Sequence, residues 1–320
     1  YVISENPKLL KIALYFKVIF KTAAWAIRKR HDFDVFYYYH PYAQTSLLAL
    51  VINSLFSNTV VEMTELESSR PSISFKSRLL NIKAKLEEAM IKRLPNLLLT
   101  ISDSLRAYYV HTLQRNKKTS VLPVVFEESY SKVADVNERC SNRLLYLGTF
   151  ADKDGVPFII KGFHLALNEL QDLKLDLIGS GTSLNQCKQL VKTLGIEDKV
   201  NFRGSIPSLE VPSMLKEIDT LIMNRDDSEY SNFGFPTKLA NYMVTQIPIV
   251  CSKTKSLSQV PANTILFYEP NNVEDFASKI VERYSSNKIS DMVSAARQYA
   301  LKTFSPSIVG GIMITELKAI

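Results

Sequence analysis

Cysteine is scarce in this 320-residue chain. The three present, Cys140, Cys187 and Cys251, are odd in number and isolated, with no paired spacing. That argues against a disulfide framework and a thiolate zinc site, and it suits a reducing cytoplasm. Long apolar runs are missing as well. None approaches the roughly 18 residues that a membrane-crossing helix needs, so no span is expected. Histidine is equally sparse, and His31, His111 and His164 show no metal-ligand spacing. No carboxylate pair stands out as an acid–base couple. Nothing resembles the aromatic–basic module of a nucleic-acid reader. Internal repeats and low-complexity tracts are also lacking.

What is present is a basic excess, unevenly placed. The formal net charge is +7, of which residues 1–125 contribute +9 and residues 126–320 contribute −2. An anionic partner is expected on the N-terminal side, whether anionic lipid, phosphorylated substrate or nucleic acid; a solvated basic face is the other reading. Residues 8–30 join seven Lys and Arg to Leu9, Phe16, Phe20 and Trp25. A second basic set follows at Arg70, Lys76, Arg78, Lys83, Lys85, Lys92 and Arg93. Together they predict reversible binding to an anionic membrane surface through the N-terminal part. Length and a composition of 46% hydrophobic and 22% charged residues are those of two ordinary globular domains.

From residue 143 onward short apolar strands alternate with helical patterns. Strands are expected at 143–150, 173–179, 199–204, 219–224, 247–252 and 264–269, with helices at 156–169, 183–194, 208–217 and 236–245. Such alternation predicts a parallel sheet covered on both faces, with ligands outside the C-terminal strand ends. The first part alternates too: helices at 8–30, 44–55 and 75–93, and strands at 34–40, 58–63, 96–102 and 119–124. Ser102 or Asp103 is placed to cap the helix that follows. Residues 127–142 are polar without apolar period and read as a linker. The domains are thus expected at 1–126 and 143–304, with 305–320 left as a C-terminal segment.

The stretch at 225–252 carries the chemistry. A polar loop ends in Phe-Gly-Phe-Pro-Thr-Lys (233–238), followed by a helical pattern and the strand-like Ile-Pro-Ile-Val-Cys-Ser (247–252). Pro236 suits a first helical turn, whose unpaired N–H groups attract anions. Lys238 adds a mobile cation at the same end, so this element reads as a holder for phosphate or diphosphate. Gly-Ser-Gly at 179–181 follows a strand and precedes a helix; chain reversal explains it better than ligand contact.

Arg225, Phe235, Pro236, Thr237, Lys238, Leu239, Tyr242, Met243, Pro248, Ile249 and Val250 resemble the retaining glycosyltransferases of family 4, in the branch with a Phe-Pro-Thr-Lys-Leu motif. Residues 144–167, 175–184 and 200–223 extend the likeness through nearly all of 143–304. The resemblance implies an α/β, GT-B fold: two Rossmann-like parallel-sheet domains facing across a cleft, with 305–320 crossing back as a helix to the first, as such chains usually end. The family usually opens with a strand and a glycine-rich loop, which do not precede Tyr1, so the first domain is expected to be incomplete and the chain a fragment.

The resemblance also implies site residues. Lys238 and Arg225 would neutralise the leaving diphosphate, where negative charge grows as the sugar bond breaks. Gly148, Thr149, Lys153, Gly204, Ser205, Phe235, Pro236, Thr237 and Asn241 would line the donor side. His40 would touch the transferred sugar, or else is a loop histidine bonded to backbone. Glu65 would bind acceptor hydroxyls, or else is a solvated loop residue. The sequence departs from the family pattern in three places. Thr149 and Asp154 stand where an Arg and a Lys usually grip the diphosphate. The family's two glutamates fall on Phe233 and Asn241.

Two functions therefore stay open. One is a glycosyltransferase moving a sugar from a nucleotide-diphosphate sugar to a saccharide or lipid-linked acceptor with retention, in cell-surface glycan biosynthesis. It would need no metal or other cofactor and would sit in the cytoplasm, with peripheral membrane contact. The other is a non-catalytic GT-B partner subunit of a glycan assembly complex. Charge alone suggests a nucleic-acid binder, for which no module is present.

Overall fold

The computed structural model describes residues 7–29, 31–41, 44–70, 75–133, 142–151 and 154–320, the side chains of 7–16, 19, 44–46, 75 and 76 excepted. The chain divides into two compact units. The first comprises Tyr1–Pro123, Phe233–Phe235 and Gly310–Ile320, and the second Val124–Asn232 and Pro236–Val309.

In the first unit, α1 (Pro7–Lys29), β1 (Val35–Tyr39), α2 (Gln44–Asn53), β2 (Asn58–Met63), α3 (Phe75–Arg93), β3 (Leu97–Thr100), α4 (Asp103–Ala107) and β4 (Lys118–Val121) follow one another. The four strands pair in parallel in the order β1-β2-β3-β4. Val60, Val61, Met63, Leu97, Leu98 and Leu99 are sealed from solvent, because a parallel sheet covered by helices buries both faces of its strands. Ser102 caps α4 as expected, its hydroxyl accepting the Leu105 N–H at 3.1 Å. The same hydroxyl donates to the Phe233 carbonyl at 2.6 Å, and the Phe233 ring lies 5.2 Å from that of Tyr108. This ties Phe233–Phe235 into the first unit.

Arg115 is the unit's buried cation, only 4% exposed. It donates to the carbonyls of Lys92 at 2.6 Å, Pro95 at 2.9 Å and Lys118 at 3.1 Å, and to the Thr119 hydroxyl at 2.9 Å. One guanidinium thereby satisfies the end of α3 and the approaches to β3 and β4.

The second unit holds α5 (Glu128–Ser131), β5 (Arg143–Leu147), α6 (Val156–Ala166), β6 (Lys174–Ile178), α7 (Leu184–Thr193), β7 (Val200–Gly204), α8 (Val211–Met214), β8 (Thr220–Met223), α9 (Glu229–Phe233), α10 (Lys238–Val244), β9 (Ile249–Ser252), β10 (Leu266–Tyr268), α11 (Val273–Ser285) and α12 (Ile289–Thr303), with α9 ending in the first unit's segment. Its six strands are parallel in the order β10-β9-β8-β5-β6-β7. The order reverses at β5, which pairs with β6 on one side and β8 on the other. A core of Leu144, Ile159, Phe163, Leu175, Leu177 and Phe276 packs α6 and α11 on the sheet. The last helix, α13 (Pro306–Lys318), runs into the first unit. There Glu316 pairs with Lys118 at 2.8 Å, and the Ile320 carbonyl accepts from Asn58 at 2.9 Å.

Two expected helices differ. The one at 208–217 is a 3₁₀ turn (Ser208–Glu210), the short α8 and a second 3₁₀ turn (Leu215–Glu217). Pro212 has no N–H to continue a helix from the preceding turn. The one at 236–245 begins only at Lys238, because the Pro236 carbonyl closes a tight turn on the Leu239 N–H at 2.9 Å. With seven residues, α10 is too short to act as a strong anion-attracting dipole, so any grip on phosphate falls to the Lys238 side chain.

Candidate active site

The C-terminal ends of β5, β6 and β7 surround a cavity of about 480 Å³ within the second unit. Its wall is built from Leu147, Gly148 and Thr149 at the end of β5, Ile178 and Gly179 at the end of β6, and Ser205, Ile206, Ser208 and Val211 after β7. Lys238 and Asn241 enter from α10 and Thr237 from just before it, Val125 and Glu127 from the segment before α5, and Tyr130 from α5 itself. This is where a doubly wound sheet places its ligands, beside the strand at which the order reverses.

Glycine lets the loops meet. Gly179 adopts φ 137°, and a side chain there would run into the Gly148 carbonyl; one at Gly181 (φ 156°) would meet the backbone of Phe150. The Gly148 N–H donates to the Ile178 carbonyl at 3.0 Å, and the Phe150 N–H to Ser180 at 2.9 Å. The Gly-Ser-Gly turn thus packs loop on loop, while Gly179 also forms part of the wall.

Lys238 is the only cation among the described residues of that wall. Its side chain is exposed to solvent, and its ammonium donates to the Leu147 carbonyl at 3.0 Å. Burial lowers its pKa from the ordinary lysine range, and the nearby Asp154 opposes that shift. Asp154 in turn accepts the Thr149 hydroxyl. Thr149 and Asp154, expected from the sequence resemblance to stand where an Arg and a Lys would, are therefore bonded to each other and bring a negative charge towards Lys238.

Asn241 ties down the opposite wall. Its side-chain oxygen accepts the Glu127 N–H at 2.8 Å, and its side chain also bonds the buried Tyr130. Its carbonyl thus holds the segment before α5 as well as facing the cavity. Asn241→Ala should loosen that segment by about 1–2 kcal/mol. Amide hydrogen exchange at Glu127 would read this as faster exchange; unchanged protection would show that Asn241 does not hold it. Glu127 is the only carboxylate among the described residues of the wall. No sequence signal marks it, since it opens a polar stretch that reads as linker.

Of the expected residues, Gly148, Thr149, Ser205, Thr237, Lys238 and Asn241 share this wall. Gly204, at φ 68°, directly precedes it. Phe235, Pro236 and Arg225 are not part of it. The Arg225 N–H donates to the Ser252 hydroxyl at 2.8 Å, and its charge lies near Cys251, whose thiol burial pushes up to about 12 against the pull of Arg225. Lys153 lies outside the described residues.

His40 and Glu65 belong to the first unit. His40 directly follows β1 at φ 44°, with one ring nitrogen 3.1 Å from the Thr64 hydroxyl and the other 3.3 Å from Glu67. Ligand atoms of His40, Glu65 and Glu67 lie within 4.8 Å of one another. Arg70 lies against both carboxylates, 3.3 Å from Glu65 and 2.6 Å from Glu67, so a dication there would have to displace a guanidinium.

The profile of the family described as "Glycosyl transferases group 1" matches residues 132–302. The chain belongs to this family. Mannosylfructose-phosphate synthase of Agrobacterium fabrum is 26% identical over 156 residues, 46% of this chain and 33% of that protein. O-antigen chain mannosyltransferase B of Escherichia coli is 24% identical over 164 residues, 50% of this chain and 42% of that protein. This family member therefore spans less than half the length of these relatives in the matched regions. Among solved structures, Anabaena HepE in complex with UDP superposes with a TM-score of 0.74 at 14% identity, over 93% of this chain and 82% of that one. That likeness is one of fold. Two parallel-sheet α/β units of this kind make the architecture GT-B.

Proposed function

We propose that this family member is a retaining glycosyltransferase of the family 4 type. It moves a sugar from a nucleotide-diphosphate donor to a saccharide or lipid-linked acceptor during glycan biosynthesis in the cytoplasm. The observation that carries the reading is the cavity beyond β5, β6 and β7, with the Lys238 ammonium in its wall. The names of the relatives, a sugar-phosphate synthase and an O-antigen mannosyltransferase, support the substrate class. The UDP bound by HepE supports the donor class.

In this reading the diphosphate takes over the ammonium from the Leu147 carbonyl. Lys238 then stabilises the negative charge that grows on the leaving group. The Ser205 and Ser208 hydroxyls and the Glu127 carboxylate are left to hydrogen-bond the neutral parts of the donor. Transfer on the same face lets the donor phosphate help remove the acceptor proton, so no protein base is required, and no metal. Radiolabelled sugar from a panel of donors, incubated with lipid extract in EDTA, tests this. Transfer should persist with EDTA; transfer that returns only with added dication would overturn the metal-free step.

A second reading, a non-catalytic partner subunit, is favoured by the Thr149–Asp154 pair and by the bond that occupies Asn241. It predicts no turnover and no donor-induced rise in melting temperature for any nucleotide sugar, whereas a donor that binds the folded state raises it.

A further inference from the structure

Within the first unit, α3 buries Ala84, Glu87, Glu88 and Ile91. At about 100° per residue, the opposite face carries Leu79, Ile82 and Leu86. These side chains are 52%, 58% and 65% exposed. Arg78, Lys85 and Arg93 share that face and are exposed as well. Both glutamates of the helix are turned inward. Glu87 pairs with Lys83 at 3.0 Å, and Glu88 accepts the Ser68 N–H at 3.1 Å and its hydroxyl at 2.8 Å. The outward face therefore combines three large aliphatics with three cations and no acid.

We propose that this face of α3 docks on the surface of an anionic lipid leaflet. A helix lying in the interface plane sets its aliphatics at the headgroup boundary and its Lys and Arg among lipid phosphates. Charge complementarity selects this occupant. A second copy of the chain would oppose Arg78, Lys85 and Arg93 to their own counterparts, and a merely solvated basic face gains nothing from three exposed aliphatics. The +9 charge of residues 1–125 points the same way. The proposal is independent of any donor and of transfer activity.

Vesicle co-sedimentation of the full chain tests it, with phosphatidylcholine vesicles compared with vesicles containing about one-third phosphatidylglycerol. Binding should require the anionic lipid and fall as salt rises from about 50 to about 500 mM, because the attraction is screened. The double variant Ile82→Ser/Leu86→Ser should bind at least about tenfold more weakly. Lys85→Glu should cost about fivefold or more. Lys216→Glu, in the second unit, serves as the control and should change little. All these positions are exposed, so circular dichroism and melting temperature should match the wild type; Lys85→Glu alone decides if the double variant unfolds. No binding to anionic vesicles at low salt, equal binding to neutral ones, or wild-type binding by Lys85→Glu would overturn the proposal. So would lipid-free dimerisation that Lys85→Glu abolishes.

Discussion

Replacing Lys238 with alanine should weaken nucleotide-diphosphate binding by about 2 kcal/mol or more, a rise in Kd of roughly 30-fold. The side chain enters a wall with no other described cation and is partly desolvated there. A charge-assisted contact to phosphate is stronger in such a site than in water. Lys238→Met, which keeps the aliphatic stem, should lose nearly as much, since the charge rather than the packing makes the contact. The pH dependence has a definite sign. Burial lowers the pKa of Lys238, so the ammonium is lost as pH rises, at a lower pH than for an ordinary lysine near 10.4. Affinity should therefore decline on the alkaline side in the wild type and stay flatter in Lys238→Met. Calorimetric titration with UDP and GDP measures both effects. An unchanged Kd in the alanine variant would remove Lys238 from the donor site.

Arg115→Met should destabilise the first unit by about 3 kcal/mol or more, without touching the cavity beyond β5. The guanidinium is nearly sealed from solvent, and burial lowers its pKa to about 10. Its removal leaves the carbonyls of Lys92, Pro95 and Lys118 without their donor. Arg115→Lys should recover only part of the loss, because a single ammonium cannot reproduce a planar fork reaching several acceptors at once. Denaturant unfolding followed by amide exchange in β3 and β4 reports on this unit alone, which matters in a two-unit chain that need not unfold in one step. A loss below about 1 kcal/mol would mean that water replaces the guanidinium.

The sequence makes the alternation of the second unit legible because its strands are short apolar runs separated by helical periods. The bounds of α3 and the Ser102 cap are legible for similarly local reasons. The expected helix at 208–217 reads smoothly in periodicity, yet Pro212 divides it. Pro236 marks a tight turn before α10 rather than its first residue, a distinction of one hydrogen bond that residue preferences do not resolve. Lys238 is found by its position after a loop. Glu127 and Tyr130 are not, because their place on the cavity wall depends on Asn241 about 110 residues away in sequence. Arg115 sits in Gln-Arg-Asn-Lys-Lys, which reads as a solvated loop; only the convergence of three carbonyls from separate segments makes it a core residue. Thr149 and Asp154 are visible as departures from the family pattern, but their bond to each other is a tertiary fact.

Hydrogen–deuterium exchange of the full chain with and without a nucleotide-diphosphate sugar tests the central claim most directly. Binding in the second unit predicts slower exchange at 147–149, 178–180, 205–208 and 237–241, lost in Lys238→Ala. Saturating donor that leaves these four segments unchanged, or protection confined to other parts of the chain, would contradict it.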